Sequence, residues 1–222
     1  MTTLNHASQT LEQQLARTVQ LTERLRDRAG PKPLLGRIAA GIDFLARGVF
    51  HVWRHRRVFT PVKLVNMALI NLQYKLKTER VIGMPYAVKI ESTNICNTKC
   101  QLCPTGIGLE GRPKGKMSFE QYQKLVDRLK RYLLTLDLSM WGDPLIVPDI
   151  YRMIRYAHDA HIWTYISSNL HAFKPGKNQA EALVESGLDL LTCSLHGASQ
   201  ATYEHYQPGK TLDDSIEKIK HI

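Results

Sequence analysis

The hydrophobic positions of this 222-residue chain follow two different rhythms. Up to about residue 80 they recur at helical spacing. Leu11, Leu15, Val19, Leu21 and Leu25 follow Thr10 and Gln13, a pair at capping-box spacing, and the pattern stops at Gly30-Pro31. Leu35, Ile38, Ile42, Leu45, Val49 and Val52/Trp53 mark a second helix over roughly 34–53, rimmed by Arg37, Arg47, Arg54, Arg56 and Arg57. Thr60-Pro61 reads as the N-cap and first-turn proline of a third helix, ending near Leu76. From Tyr86 onward, short runs rich in Val and Ile alternate with amphipathic segments. Predicted strands cover Ala87–Glu91, Leu134–Met140, Ile162–Ser167 and Leu188–Leu195. Predicted helices cover Ser118–Arg131, Pro148–Ala160 and Gln179–Ser186, the last closed by Gly187. That alternation predicts an α/β unit with a parallel sheet over residues 81–222, preceded by a basic helical region over 1–80. Thr211 to Ile222 forms one more amphipathic stretch with no strand after it, so the sheet is expected to be incomplete and to leave an edge uncovered.

Charge separates the same two regions. Residues 1–90 carry 15 Lys/Arg against 5 Asp/Glu, whereas residues 91–222 carry 15 of each, so the whole +10 excess lies in the first part. An anionic partner is therefore an expectation about that part alone. Its basic-rimmed helices suit a peripheral contact with an anionic membrane face. Nucleic acid is disfavoured, because the arginines lack interleaved aromatics and no reader motif accompanies them. A composition of 43% hydrophobic and 23% charged residues excludes a disordered or collagen-like chain. The opening MTTLNHASQT has no basic and apolar leader pattern, and the expected compartment is the cytoplasm, with any membrane contact at its inner face.

Three of the four cysteines, Cys96, Cys100 and Cys103, fall within eight residues just after the first predicted strand, and Cys193 stands alone. Such clustering argues for a reduced compartment rather than a disulfide framework. Structural zinc usually takes four ligands, so three thiols need a fourth such as His196 to make a zinc module. Alternatively, three thiolates hold three irons of a [4Fe–4S] cube and leave the fourth open. Cys193 reads as a small buried hydrophobe, and His158 and His161 as surface residues. Arg112, Lys114 and Lys116 lie in the long loop after Cys103, which either covers the cysteines or is a solvated basic loop.

The run Glu91-Ser92-Thr93-Asn94-Ile95-Cys96-Asn97-Thr98-Lys99-Cys100-Gln101-Leu102-Cys103-Pro104 resembles the radical S-adenosylmethionine enzymes, whose motif is C-x3-C-x2-C after the first strand. The resemblance covers about residues 83–222. It implies a partial (β/α) TIM-type barrel that is incomplete here, lacking the fifth and sixth strands. It also implies a [4Fe–4S] cluster on Cys96, Cys100 and Cys103, with S-adenosylmethionine chelating the open iron near Leu102. One electron from the reduced cluster would break the sulfonium C5′–S bond, giving a 5′-deoxyadenosyl radical that abstracts hydrogen. Gly142, Asp143 and Pro144, in Trp141-Gly142-Asp143-Pro144, stand where the family has Gly-Gly-Glu-Pro, whose turn offers backbone groups to the methionine amino group. Trp141 and Asp143 depart from that pattern. Ser167 and Asn169 match the end of the family's third strand, Ser194 and His196 the end of its fourth, and both pairs are expected to meet cosubstrate or substrate. Val81 to Pro85 and Lys114 to Ser118 look like the SPASM-type branch of the family, which modifies peptides. The partners so implied are an electron donor, a biosynthetic or peptide substrate, and a second chain that completes the barrel. The reading from a different class is a non-catalytic scaffold that keeps the cysteine loop and sits on an anionic membrane surface.

Overall fold

The computed structural model describes Gly41, Ala46, residues 55–109 and residues 111–222. The helices expected over residues 10–30 and 34–53 lie outside the described residues, apart from Gly41 and Ala46, which are helical. The chain divides into two units, Met1–Phe59 and Thr60–Ile222. The third expected helix, α1 (Pro61–Leu76), belongs to the second unit rather than to the basic region. Thr60 caps it as expected: its hydroxyl accepts from the Lys63 N–H, and Pro61 occupies the first turn, where a missing N–H costs nothing.

The second unit then runs β1 (Ala87–Lys89), α2 (Pro104–Ile107), α3 (Phe119–Leu129), β2 (Thr135–Asp137), α4 (Ile150–Asp159), β3 (Trp163–Ser168), α5 (Gln179–Glu185), β4 (Leu190–Cys193), α6 (Gln200–Tyr206) and α7 (Leu212–Lys220). The four strands are parallel, and each pairs with the next in sequence, in the order β1-β2-β3-β4. Lys89 stands beside Asp137, Asp137 beside Tyr165, and Ser168 beside Cys193. This is the α/β arrangement with a parallel sheet that the sequence predicts, consistent with part of a (β/α) barrel.

Strand alternation decides the two faces. Leu136, Leu138, Thr164 and Ile166 point to the helix-covered side and are buried, against Tyr122 and Val126 of α3 and Ile150, Met153, Ile154 and Ala157 of α4. Lys89, Asp137, Trp163, Tyr165, Ser167 and Thr192 point to the other side and keep solvent contact. Trp163 and Tyr165 stack there at 6.5 Å between centroids. Ser118 and Gln121 complete the expected capping box of α3, each side chain bonding the other's backbone N–H. Thr211, by contrast, starts α7 without a side-chain cap bond. His158 is not a free surface residue: its ring nitrogen bonds the Gly187 carbonyl at 2.8 Å. Gly187, at φ +75°, has no room for a Cβ beside that ring. Cys193 packs half-buried against the core, as expected of a small hydrophobe, and burial pushes its thiol pKa up. Among the described residues no helix is long and apolar enough to cross a membrane.

Candidate functional site

The cysteine loop is held from beneath by its own polar side chains. Ser92 donates to the Leu138 carbonyl at 2.8 Å and Thr93 to the Gly115 carbonyl at 2.8 Å. Asn94 bonds twice with the returning strap, donating to the Pro113 carbonyl at 2.9 Å and accepting from the Gly115 N–H at 2.7 Å. All three side chains are buried, so each satisfied group avoids a desolvation penalty of about 1–3 kcal/mol. Arg112 grips Glu91 through two parallel bonds, at 2.5 and 2.6 Å, which assigns this loop arginine to fastening the strap. Beyond the cysteines, the turn of α2 presses Gly106 onto the loop, where a Cβ would stand 2.4 Å from the Cys100 carbonyl oxygen. Only glycine fits that contact.

Cys96, Cys100 and Cys103 all line one pocket of about 180 Å³ at the C-terminal ends of the strands. Thr98 Oγ1 lies 3.1 Å from Cys96 Sγ and 3.5 Å from Cys100 Sγ, so those two sulfurs can stand no further apart than the two distances together. Burial pushes the Cys100 thiol pKa up; the Thr98 hydroxyl draws it back, and Cys96 and Cys103 push it higher as neighbouring negative charges would. Three sulfurs are thereby gathered on one pocket wall, and a sulfur gives up its proton when it ligates a metal.

The Trp141-Gly142-Asp143-Pro144 turn is seated directly under that loop. A Cβ on Gly142 would stand 2.2 Å from the Thr93 carbonyl oxygen and 2.7 Å from that of Ile95, so close approach dictates the glycine. Asp143 is 2% exposed, and its carboxylate is fully engaged within the protein. It accepts from the Leu145 N–H at 2.9 Å, the Ser168 hydroxyl at 2.9 Å and the Asn169 N–H at 2.9 Å, while its own N–H reaches the Ile95 carbonyl. Burial raises its pKa and those donors pull it back. Asp143 thus ties three segments together: the turn, the cysteine loop and the end of β3.

A ladder of small polar groups crosses the strand ends. Lys89 Nζ pairs with Asp137 Oδ2 at 2.9 Å, and Asp137 Oδ1 accepts from the Ser139 hydroxyl at 2.6 Å. Ser139 Oγ in turn accepts from the Ser167 N–H at 2.9 Å, and the Ser167 and Ser194 hydroxyls bond at 3.0 Å. Asn169 turns inward instead, with Nδ2 at 3.0 Å from Asn97 Oδ1 and 3.5 Å from Cys96 Sγ. His196 sits at the rim with its ring 4.3 Å from that of Tyr206, and partial burial lowers its pKa. Of the residues picked out from sequence, Cys96, Cys100, Cys103, Gly142, Asp143, Ser167, Asn169, Ser194 and His196 line the pocket. Leu102, 81% exposed, and Pro144, buried in the first turn of a short 3-10 helix, do not line it.

Sequence reasoning missed the wall beside Cys100. The His171 side chain, 4% exposed, places Nε2 at 3.0 Å from both Tyr203 OH and Gln207 Oε1, with Nδ1 at 3.5 Å from Asp214 Oδ2. Tyr203 OH continues to Ser215 Oγ at 2.8 Å. Burial lowers the His171 pKa below its usual 6.5, with the Gln207 contact opposing that shift. A histidine kept neutral by the fold stabilises it fully above the unfolded-state pKa and progressively less as pH falls from there toward the lowered folded value. Thermal unfolding scanned from pH 7.5 to 5 is therefore expected to show a falling Tm below about 6.5. His171→Gln should flatten that fall while lowering Tm at pH 7.5, and an equal slope in both proteins would remove His171 as its source.

The Radical SAM superfamily model matches residues 90–222. The chain belongs to this superfamily. It is 24% identical over 123 residues to the AdoMet-dependent heme synthase of Methanosarcina barkeri, covering 55% of this chain and 34% of that protein. It is 29% identical over 144 residues to the mycofactocin maturase MftC of Mycobacterium tuberculosis, covering 65% and 36%. The chain thus spans about a third of the length of the curated relatives it matches. In fold it is similar to Streptococcus suis SuiB bound to the precursor peptide SuiA, with a TM-score of 0.55 and 18% identity over 84% of this chain and 44% of that one.

Membership of the radical SAM superfamily implies use of S-adenosylmethionine and an iron–sulfur cluster, and the donor set fits such a cluster. Soft sulfur ligands suit it. Among the described residues no group of three His, Cys, Asp or Glu side chains is placed to hold a single metal ion, and the three thiols share the lining of one pocket.

Proposed function

We propose that Cys96, Cys100 and Cys103 ligate three irons of a [4Fe–4S] cluster, and that the pocket they line binds S-adenosylmethionine for reductive cleavage. The observation that carries this reading is the meeting of all three thiols with the ends of β2, β3 and β4 around one pocket. When bound, the reduced cluster supplies one electron to the sulfonium, yielding methionine and a 5′-deoxyadenosyl radical able to take hydrogen from substrate. The chain's own residues position these parts. Gly142 lets the turn nest under the cysteine loop, and Asp143 fixes that turn to β3 rather than reaching for the cosubstrate. The Ser167 and Ser194 hydroxyls, together with His196 at the rim, offer polar contacts to ribose or substrate. A biosynthetic or peptide substrate of the SPASM-type branch is the class we favour, in keeping with relatives named as a heme synthase and a maturase. An external one-electron donor completes the chemistry.

Anaerobic reconstitution with iron and sulfide, followed by reduction and addition of S-adenosylmethionine, tests this directly. Four irons and four sulfides per chain are expected, as for a [4Fe–4S] cluster, together with 5′-deoxyadenosine above a cluster-free control. Zinc retained without sulfide would overturn the assignment. A full cluster whose spectrum does not respond to S-adenosylmethionine would overturn the cosubstrate reading of the pocket.

A further inference from the structure

Two polar side chains reach the Cys96 sulfur itself. Thr98 is 6% exposed, with its hydroxyl oxygen 3.1 Å from Cys96 Sγ. Asn169 is 8% exposed, with Nδ2 3.5 Å from the same sulfur. We propose that Thr98 and Asn169 act through the Cys96 sulfur as hydrogen-bond donors that raise the reduction potential of the cluster. The inference rests on the cluster assignment made above.

Ligation fixes the direction of these bonds. A sulfur bound to iron has lost its proton and can only accept, so the Thr98 hydroxyl must donate across the contact. The carboxamide NH2 of Asn169 has no lone pair to offer and is a donor in any state. Reduction adds one negative charge to the cluster, part of which resides on the cysteine sulfurs. A donor held against such a sulfur therefore stabilises the reduced form more than the oxidised form.

Both donors are fixed in place, which is what a constant potential requires. Asn169 Oδ1 accepts from the His171 N–H at 2.9 Å, and the Asn169 N–H is held by Asp143 Oδ2. The side chain cannot rotate away without breaking its own turn. Thr98 lies between Cys96 and Cys100, and its one hydroxyl proton serves one sulfur at a time; the shorter contact is to Cys96. Asn169 comes from the end of β3, 73 residues from Cys96 in sequence, so this bond also ties the potential to the packing of the sheet.

The test is a redox titration, followed by electron paramagnetic resonance, of the reconstituted full chain and of three variants. Thr98→Val keeps the side-chain shape and removes the donor, and Thr98→Ser restores it. Asn169→Ser keeps an acceptor for the turn with a side chain too short to reach Cys96. Thr98→Val and Asn169→Ser are each expected to lower the potential, shifting the oxidised-to-reduced ratio at fixed potential on the order of tenfold, about 59 mV for one electron. Thr98→Ser should return to the wild-type value. Unchanged potentials in Thr98→Val and Asn169→Ser, at full iron and sulfide content, would overturn the inference while leaving the cluster assignment intact. Failure of the wild-type chain to take up iron and sulfide would instead overturn the assignment, and this inference with it.

Discussion

Replacing Cys100 with alanine is expected to bring the iron and sulfide content of the reconstituted chain to background and to abolish formation of 5′-deoxyadenosine, while the protein stays folded. Cys100 is the most enclosed of the three clustered thiols, at 9% exposure, and the loop around it is held by other groups. Its carbonyl receives the Cys103 N–H and lies against Gly106, contacts an alanine backbone retains. The change therefore removes one sulfur and a small buried volume, costing about 1 kcal/mol of stability. Two thiols remain, too few for the three irons that need protein ligands. Cys193→Ala is the matched control. That thiol belongs to the helix-covered side of β4 and does not line the pocket, so cluster content should match the wild type. Full iron content in Cys100→Ala would remove Cys100 from the ligand set.

The second large effect is expected from a methyl group. In Gly142→Ala the added carbon would collide with the carbonyl oxygens of Thr93 and Ile95, the two residues that lead into Cys96. Neither oxygen is the end of a flexible side chain, so backbone must move. Overpacking of this kind costs about 1–3 kcal/mol, and loss of the bond from the Asp143 N–H to Ile95 adds about 0.5–1.5 kcal/mol. With Tm falling about 2–4 °C per kcal/mol for a domain of this size, calorimetry should show a loss of several degrees. Iron uptake should fall several-fold although no ligand has changed. Gly176→Ala, where a Cβ meets nothing within 4 Å, should leave both unaltered. An unchanged Tm in Gly142→Ala would mean that the turn and the cysteine loop are not in the contact described.

Much of this was legible in the sequence because it depends on local periodicity and spacing. The four strands, their parallel order and the helices between them follow from runs of Val, Ile and Leu that alternate with helical patterns, and the structure places all four. The third strand has its expected six residues one position later, whereas the other three are shorter than expected, the second of them for a visible physical reason. The predicted strand Leu134–Met140 pairs in register only over Thr135–Asp137, because the Ser139 N–H bonds the Asp137 carboxylate at 2.8 Å instead of continuing the ladder. The cysteine motif and the Gly-Asp-Pro turn stand out as short contiguous patterns. The partners of His171 lie 32 to 43 residues further along the chain, at no regular period, and only the folded sheet brings them together. The work of Asp143 was likewise hidden. A carboxylate in a turn looks available for a ligand, whereas here three donors from the protein consume it. Leu170 gave no local signal either. It adopts the left-handed conformation at φ +62°, which costs a leucine about 1–2 kcal/mol and is repaid by burial of its side chain to 1% exposure.

The sequential strand order has a consequence for how the site comes into being on the ribosome. Each new strand pairs with the one made just before it, so the sheet can grow in the direction of synthesis without waiting for distant sequence. The cysteine loop cannot be finished that way. Cys96 emerges 73 residues ahead of Asn169, and Asp143, which bridges the two segments, emerges between them. At a translation rate of about 5–20 residues per second, the three thiols wait roughly 4–15 seconds before the last clamp on their loop exists. During that interval the nascent chain presents three thiols in a loop held only by its own strap, exposed to oxidation and to stray metals. Cofactor insertion that begins only after β3 has docked would meet a loop already in its final shape.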